Sequence, residues 1–312
     1  MAGSGGTGGG LQRARPDQLQ QQIDQSTIDT NRVIHAERVN HALAERLTEY
    51  NDRDAEAVQG RLGDIRDSIG GAIRGTVDLR FGGSVAKGTY VEGLSDIDAL
   101  AILSDPSLVD LGPKEALARF KETLERELDP SYGIKTGALA VTVTYPDGMT
   151  VQVLPAVRGA DGLQIARPGT NLWSTIHPEA FARKLTDANR ESGNLLVPTI
   201  KLAKGALAKI SGGGAPAGYH VESMAIEAFK DFSGPRTPKA ALTHFFERAS
   251  QLVLRPIVDS TGQSVHVDGY LGAAESPKRQ QMSAALDRIA RRLTNADRAT
   301  DSNRWMETIG EF

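Results

Sequence analysis

The chain has 312 residues, enough for two packed domains or one large one without disulfides or a structural metal. With 36 Lys and Arg against 39 Asp and Glu, its formal charge of −3 excludes the broad positive field that holds a long nucleic acid. The absence of cysteine excludes thiolate zinc sites and cysteine nucleophiles, and no apolar run approaches the roughly 20 residues that cross a bilayer, so we expect a cytoplasmic protein without a membrane partner.

The N-terminal region divides into a tail and a helical segment. Residues 1–15 predict a flexible tail, because they are rich in glycine and lack the basic and apolar parts of a signal peptide. In residues 16–75 apolar side chains such as Val39, Leu43 and Leu47 recur every three or four positions, which predicts one long helix or two in line, packed on the core. A coiled-coil dimer arm is the alternative, and the drift of the spacing from a strict heptad disfavours it.

The rest of the chain predicts an α+β fold, with a small mixed sheet followed by a helical domain. Strands are expected at 76–81, 96–103, 139–145 and 149–154, the last two joined by a Pro-Asp-Gly turn, with a helix at 113–128. After Ile165 nearly everything is predicted to be helical, over 178–190, 195–210, 219–231, 238–254 and 277–294.

Two carboxylates share one face of the second predicted strand. Residues i and i+2 of a strand point to the same side, so Asp96 and Asp98 project together while Ile97 points into the core. Mg²⁺ prefers hard oxygen ligands, and transfer at phosphorus commonly uses two metal ions about 4 Å apart. The pair therefore predicts a site for Mg²⁺, with Mn²⁺ as the alternative cation.

A glycine-rich turn precedes this pair of acids. Gly83 lets the backbone approach a triphosphate closely, and the hydroxyl of Ser84 adds a hydrogen-bond donor. A helix that begins here would direct its positive end at the same anion. Lys87 either adds charge to the site or simply faces solvent. Each motif alone is weak evidence, but together they form a constrained composite that predicts binding of a nucleoside triphosphate.

The stretch FGGSVAKGTYVEGLSDIDALAIL, residues 81–103, resembles the signature of the DNA polymerase beta-type nucleotidyltransferase superfamily. Its SDID form with the added Lys-Gly-Thr is similar to the cGAS/DncV-like branch, the bacterial cyclic-oligonucleotide synthases of anti-phage CBASS operons. The resemblance extends over residues 76–272 through shorter matches: VQVLPA at 151–156, Trp173, Pro178, IKLAK at 200–204, GYHVE at 218–222, VDS at 258–260 and HVD at 266–268.

The resemblance implies a polymerase beta-like nucleotidyltransferase core at 76–165 and a helical C-terminal domain at 166–312. Such an enzyme joins NTPs, ATP among them, into a cyclic di- or trinucleotide second messenger, and it is often gated by an accessory protein or ligand. The family places the donor triphosphate on Gly83 and Ser84 and the metal on the two aspartates.

The family also implies contacts from the helical domain. Lys201 or Lys204 would touch nucleotide phosphates, although a solvated helix face is the alternative for each. Tyr219 lies where the family tends to place an aromatic ring that stacks on a base, and burial between helices is the alternative.

The sequence departs from the family at one metal ligand. The family's third carboxylate lies on the strand predicted at 149–154, where this chain has Gln152. An amide oxygen can ligate Mg²⁺, but it brings no charge and cannot act as a base. Three interpretations stay open: Asp96 and Asp98 suffice with a further ligand, Asp147 takes the role despite its tight turn, or the protein binds nucleotides without turning them over.

Two other functions are therefore kept as alternatives. One is a transferase that acts on RNA ends or on a small acceptor, although the charge disfavours long RNA. The other is a catalytically weak nucleotide-binding regulatory protein. The six histidines form no metal-binding spacing. We expect His266 and Asp268 in a structural hydrogen-bond site, and His220 and Glu222 to cap or anchor a helix.

Overall fold

The computed structural model of the protein describes residues 16–52, 55–72, 77–91, 97–104, 110–137, 139–159, 162–167, 170–210, 215–259 and 267–310. The predicted tail at 1–15, Asp96 and His266 lie outside the described residues.

The first part of the chain carries the strands and the helices between them. In chain order these elements are α1 (Pro16–Asn51), α2 (Ala55–Ala72), β1 (Val77–Phe81), α3 (Gly83–Ala86), β2 (Ile97–Leu103), α4 (Pro113–Glu127), β3 (Gly133–Thr136), β4 (Val141–Thr144), β5 (Thr150–Gly159), β6 (Gly162–Ala166) and β7 (Trp173–Ile176). The helices that follow are α5 (Pro178–Glu191), α6 (Leu196–Ala208), α7 (Gly218–Phe229), α8 (Pro238–Leu252), α9 (Pro277–Arg298) and α10 (Ser302–Ile309), with a 3-10 turn at Gly269–Leu271.

The sheet is mixed and is built around β5. This strand pairs in parallel with β2, which in turn pairs antiparallel with β1. On its other side β5 pairs antiparallel with β4 over its first half and with β6 at its end. β3 extends the sheet beyond β4, and β7 extends it beyond β6.

β5 is longer than the sequence predicts. A strand ending at Leu154 is expected because proline follows, whereas β5 runs to Gly159. Pro155 is opposite Ala101 of β2, but on its other side the pairing with β4 stops at Val153 and the pairing with β6 starts only at Val157. At this position β5 has only one neighbouring strand, β2, because neither β4 nor β6 pairs there. Proline, which cannot donate a backbone hydrogen bond, is tolerated for that reason.

The sheet also continues past the predicted domain boundary at 165. β6 pairs with β7, so the prediction of helix for nearly everything after Ile165 is wrong at Trp173–Ile176. Four residues are too few for periodicity to separate a strand from a helix. The short elements β3 and α10 are likewise absent from the prediction, whereas the six predicted helices between 113 and 294 are confirmed as α4 to α9.

The buried apolar side chains form a sheet half and a helical half. In the sheet half, α2 and α4 pack on the strands. In the helical half, α5 to α10 pack on one another and α1 packs on α6, α8 and α10. We expected residues 16–75 to pack on the core. α2 does so on the sheet half, through Val58, Ile65 and Ile69. α1 instead packs in the helical half, through Val39 and Leu43.

The first half of α1 projects from the body of the protein. Residues 17–34 are exposed throughout, apolar Leu19, Ile23 and Val33 included. The coiled-coil arm stays a prediction. Neither α1 nor any other helix within the described ranges has the length and apolar content to cross a membrane.

A buried ion pair fixes the loop that precedes α9. The side chains of Asp268 and Arg279 are fully buried, and Nη1 of Arg279 donates to Oδ2 of Asp268 over 2.6 Å. The same guanidinium donates to the carbonyls of Val253 over 2.9 Å, Arg255 over 3.1 Å and Gly272 over 3.1 Å. The guanidinium also donates to the carbonyls of Ala273 and Asp268, so the expected structural role of Asp268 takes the form of an ion pair surrounded by backbone carbonyls.

His220 lies beside this pair in the interior of the helical half. Burial lowers the pKa of His220 to about 4, so the ring is neutral at pH 7. Its Nδ1 is 2.9 Å from the hydroxyl of Tyr270, which also accepts a hydrogen bond from the N–H of Ala217. The ring thus anchors α7 to the 3-10 turn, which is the anchoring role expected of it.

We expect Arg279→Met to lower the free energy of unfolding by about 3–5 kcal/mol, because it leaves the Asp268 carboxylate buried and unpaired. Arg291→Met, on the exposed side of the same helix, removes an ion pair to Asp287 that solvent screens, and it serves as the matched control with little expected change. Urea denaturation of both variants measures the difference. Equal losses in the two variants would contradict a special role for the buried pair.

Candidate nucleotide-binding site

A cavity of about 420 Å³ lies between the sheet half and the helical half. Its size is that of a small-molecule site. Strands β1, β2, β5 and β6 supply one wall, and the first turns of α5 and α7 supply the other. Its lining includes Gly83, Lys87, Asp98, Gln152, Phe181 and Tyr219.

Asp98 and Gln152 lie side by side on the cavity face of the sheet. They are register partners in the parallel pairing of β2 with β5. Their neighbours Ile97, Ala99 and Val151 are buried on the opposite face, so strand alternation points the carboxylate and the amide the same way. Gln152 therefore occupies the position next to Asp98 that the family resemblance assigns to a third metal ligand.

Gly83 makes room for the Asp98 carboxylate. Its φ of +46° is in the left-handed region that favours glycine, and a Cβ atom there would lie 1.6 Å from Oδ2 of Asp98. The N–H of the preceding Gly82 donates to the carbonyl of Asp98 over 2.8 Å. The glycine turn and the aspartate are thus one packed unit, because no other side chain fits at position 83.

Ser84 follows in α3, which is only four residues long. The helix begins where the sequence predicts, but a single turn has a much smaller dipole than a full helix. Ser84 is buried, its carbonyl accepts from the N–H of Thr89 over 2.9 Å, and it is not among the residues that line the cavity. Its role as a donor to phosphate stays a prediction.

Lys87 faces the cavity and is held by the helical half. Its ammonium group donates to the carboxylate of Glu222 and lies 5.2 Å from the ring centre of Phe181 and 5.4 Å from that of Tyr219. Cations are attracted to the faces of aromatic rings at such distances. The alternative of a simply solvent-facing lysine is wrong, since only 12% of the side chain is exposed.

The two lysines of α6 lie in different surroundings. Lys204 is 11% exposed, and its ammonium donates to Glu222 over 3.2 Å and to the carbonyl of Thr89 over 2.9 Å. Burial lowers the pKa of Lys204, and Glu222 opposes that shift. Lys201 instead donates to the side chain of Asn51 at the end of α1. Neither lysine is among the residues that line the cavity, and contact with phosphate stays a prediction for both.

Tyr219 combines both of its predicted alternatives. Its ring packs on Phe181 with 4.4 Å between the ring centres, and its hydroxyl donates to Asp259 over 3.2 Å. The same ring lines the cavity. Stacking on a base stays a prediction, for which the ring is suitably placed.

Asp147 does not reach this site. Its carboxylate pairs with Arg61 over 2.9 Å and accepts from the N–H of Met149 over 3.0 Å, contacts that lower its pKa. It lines no part of the cavity. The described ranges contain no group of three His, Asp or Glu side chains that could hold a metal. Glu179 also lines the cavity, and Arg80 and Arg183 share its carboxylate.

The buried acid Glu222 anchors its helix, as the sequence predicts, but its three partners beside the cavity are not predicted. It is 1% exposed and accepts from Lys87, Thr89 and Lys204, which we call together with Glu222 the Glu222 cluster. Its partners are distant in the sequence. The signal that could have suggested this cluster is that GYHVE places a glutamate on a strongly apolar helix face. A carboxylate on such a face needs a charged partner.

We expect Gly83→Ala to destabilise the protein far more than Gly88→Ala. Both glycines have positive φ, so both substitutions strain the backbone by about 1–2 kcal/mol. A Cβ atom at Gly88 meets nothing within 4 Å, whereas one at Gly83 collides with Asp98. The difference in unfolding free energy between the two variants measures the collision. No difference would show that the turn and the aspartate are not packed as described.

No family model and no curated protein matches the sequence. Solved structures do match the fold. CdnC of E. coli MS115-1, in complex with HORMA-deltaN, has a TM-score of 0.61 at 17% identity, covering 82% of this chain and 91% of that one. The Vibrio cholerae di-nucleotide cyclase DncV, with ATP and GTP, has a TM-score of 0.60 at 12% identity, covering 95% and 90%. The STING-associated c-di-GMP synthase CdnE of Capnocytophaga granulosa has a TM-score of 0.57 at 16% identity, covering 76% and 80%. The protein thus has the fold of the cGAS/DncV-like nucleotidyltransferases, the branch that its signature at 81–103 resembles.

Proposed function

We propose that the protein is a metal-dependent nucleotidyltransferase that joins NTPs, ATP among them, into a cyclic di- or trinucleotide for anti-phage CBASS signalling. The observation that carries this proposal is the packed unit of Gly83 and Asp98 beside Gln152, facing a cavity with lysine and aromatic walls. DncV, which shares the fold, has been solved with the linear intermediate pppA(3′,5′)pG. That likeness supports the cyclic product, and an accessory protein or ligand is proposed as activator.

The residues suit a magnesium ion, with Mn²⁺ as the alternative. Asp98 and Gln152 present oxygen atoms on one face, and Asp96 is proposed as the second carboxylate because it lies two positions before Asp98. When bound, the cation stabilises the negative charge that develops on the phosphoryl and leaving oxygens.

The side chains of the protein bind and orient the substrates. The turn at Gly83 admits a triphosphate to the backbone, Lys87 and Lys204 supply positive charge behind it, and Tyr219 offers a ring for a base. A 3′ or 2′ hydroxyl of a second nucleotide attacks the α-phosphate, and pyrophosphate leaves. One further transfer of the same kind closes a cyclic dinucleotide and two more close a trinucleotide, with each hydroxyl proton passing to water. Gln152 can orient the attacking hydroxyl but cannot take its proton, so we expect slow turnover.

Asp98→Asn tests the proposal. We expect wild-type protein with labelled NTPs and Mg²⁺ to release pyrophosphate and form cyclic products identified by mass spectrometry. Loss of a direct metal ligand should cost more than the roughly 10- to 100-fold typical of residues that support such ligands. Asp147→Asn is the matched control and should leave the rate unchanged, since Asp147 pairs with Arg61 outside the cavity.

The products also separate the alternative enzyme from the proposed one. Nucleotides added to RNA ends or to a small acceptor, without cyclic products, would overturn the cyclase proposal in favour of that transferase. Absence of pyrophosphate under every metal and activator condition would overturn catalysis altogether.

Gln152→Asp tests whether the lack of a negative charge at this position limits the rate of the reaction. We expect it to raise the rate by about 10-fold or more, because it restores a carboxylate beside Asp98. Gln152→Asn keeps the uncharged amide on the shorter side chain and should give no gain. Equal rates in the two variants would mean that charge at this position is not limiting. Tight NTP binding without turnover in both would favour the nucleotide-binding regulatory protein, which Gln152 also motivates.

A further inference from the structure

Three hydrogen-bond donors converge on the carboxylate of Glu222. Lys87 and Thr89 come from the segment that follows the glycine turn, and Lys204 comes from α6. An ionised carboxylate in the interior is tolerated only when it is paired and hydrogen-bonded, and this one meets both conditions. The Glu222 cluster therefore connects the segment after the glycine turn, in the sheet half, to α6 and α7 of the helical half.

The charges of the cluster do not cancel. Two ammonium groups share one carboxylate, which leaves one positive charge among side chains that are 12% exposed or less. Asp98 attracts Lys204 at longer range, but the same carboxylate is the proposed metal ligand. Buried charge without a partner is costly, and a cation on Asp98 would take up that carboxylate. A polyphosphate in the adjoining cavity would balance it.

The position of Lys87 links this charge to the cavity. Its ammonium lies between the Glu222 carboxylate and the rings of Phe181 and Tyr219, and those rings belong to the cavity wall. Gly218, at the start of α7, lies against Lys204, with its Cβ position 3.7 Å from Cε. The carboxylate of Glu222 thus holds both ammonium groups from one side, and without it they would be free to move.

We propose that Glu222 is a positioning residue for the NTP triphosphate, which acts by holding the ammonium groups of Lys87 and Lys204 in place beside the turn at Gly83. It touches no substrate itself. This inference deepens the proposed function, because it uses the same site, and it concerns the binding of nucleotide rather than the chemical step.

The test measures the affinity of the full-length protein for a non-hydrolysable ATP analogue with Mg²⁺. Glu222→Gln keeps the size of the side chain and removes its charge, and we expect affinity to fall 10-fold or more as the lysines lose their counter-ion. Glu227→Gln, on the same helix but in a surface pair with Lys230, is the matched control with unchanged affinity. Glu222→Asp should recover part of the loss, because it restores the charge.

A variant without the two lysines separates positioning from a general weakening of the fold. If Glu222 acts through Lys87 and Lys204, adding Glu222→Gln to the variant that carries Lys87→Met and Lys204→Met should cost no further affinity, whereas independent effects would multiply. Unchanged or tighter binding by folded Glu222→Gln, or fully multiplicative losses, would overturn the inference. Thermal melts of each variant confirm that the binding data refer to folded protein.

The outcomes for this inference and for the proposed function are distinguishable. If the variants show the expected affinities but the wild-type protein forms no cyclic product, the proposed function is overturned and the role of Glu222 is supported. A wild-type protein that forms the product, while Glu222→Gln binds the analogue equally well, overturns the inference alone.

Discussion

The parallel pairing of β2 with β5 is the constraint on which the candidate site depends. It sets Asp98 opposite Gln152, and the buried residues around them, Ile97 and Val151, fix which face each strand turns to the cavity. A slip of one residue would move the carboxylate into the apolar side of the sheet and bring Ile97 or Ala99 to the cavity. The hydrophobic packing of α2 and α4 on the far face therefore maintains the chemistry on the near one.

Local pattern was enough to predict the centre of the site. Apolar and polar residues alternate around Asp98, which indicates a strand, and glycine at position 83 indicates a tight turn. Both signals depend only on residues that are adjacent in the sequence. β5 beyond Pro155 could not be predicted, since its continuation depends on the gap between two partner strands. The three partners of Glu222 were missed for the same reason: these donors come from elsewhere in the chain, and only the tertiary fold brings them together.

The substitution of an amide for the family's third carboxylate shifts the electrostatics of the whole cavity. A carboxylate at Gln152 would attract a cation and repel a triphosphate, so its loss weakens the first interaction and relieves the second. The two lysines of the Glu222 cluster act in the same direction, since they leave one excess positive charge beside the cavity. On the proposed function, these charges favour a polyphosphate over a second metal ion held by protein ligands alone.

The cavity lies between two halves, so its width depends on what joins them. α1 packs in the helical half and α2 on the sheet, and Lys201 of α6 donates to Asn51 at the end of α1. The Glu222 cluster joins the halves directly, through charges rather than apolar contacts. Ionic contacts respond to a nearby polyphosphate and apolar packing does not. A polyphosphate bound as proposed would therefore act on the contact between the halves at the Glu222 cluster.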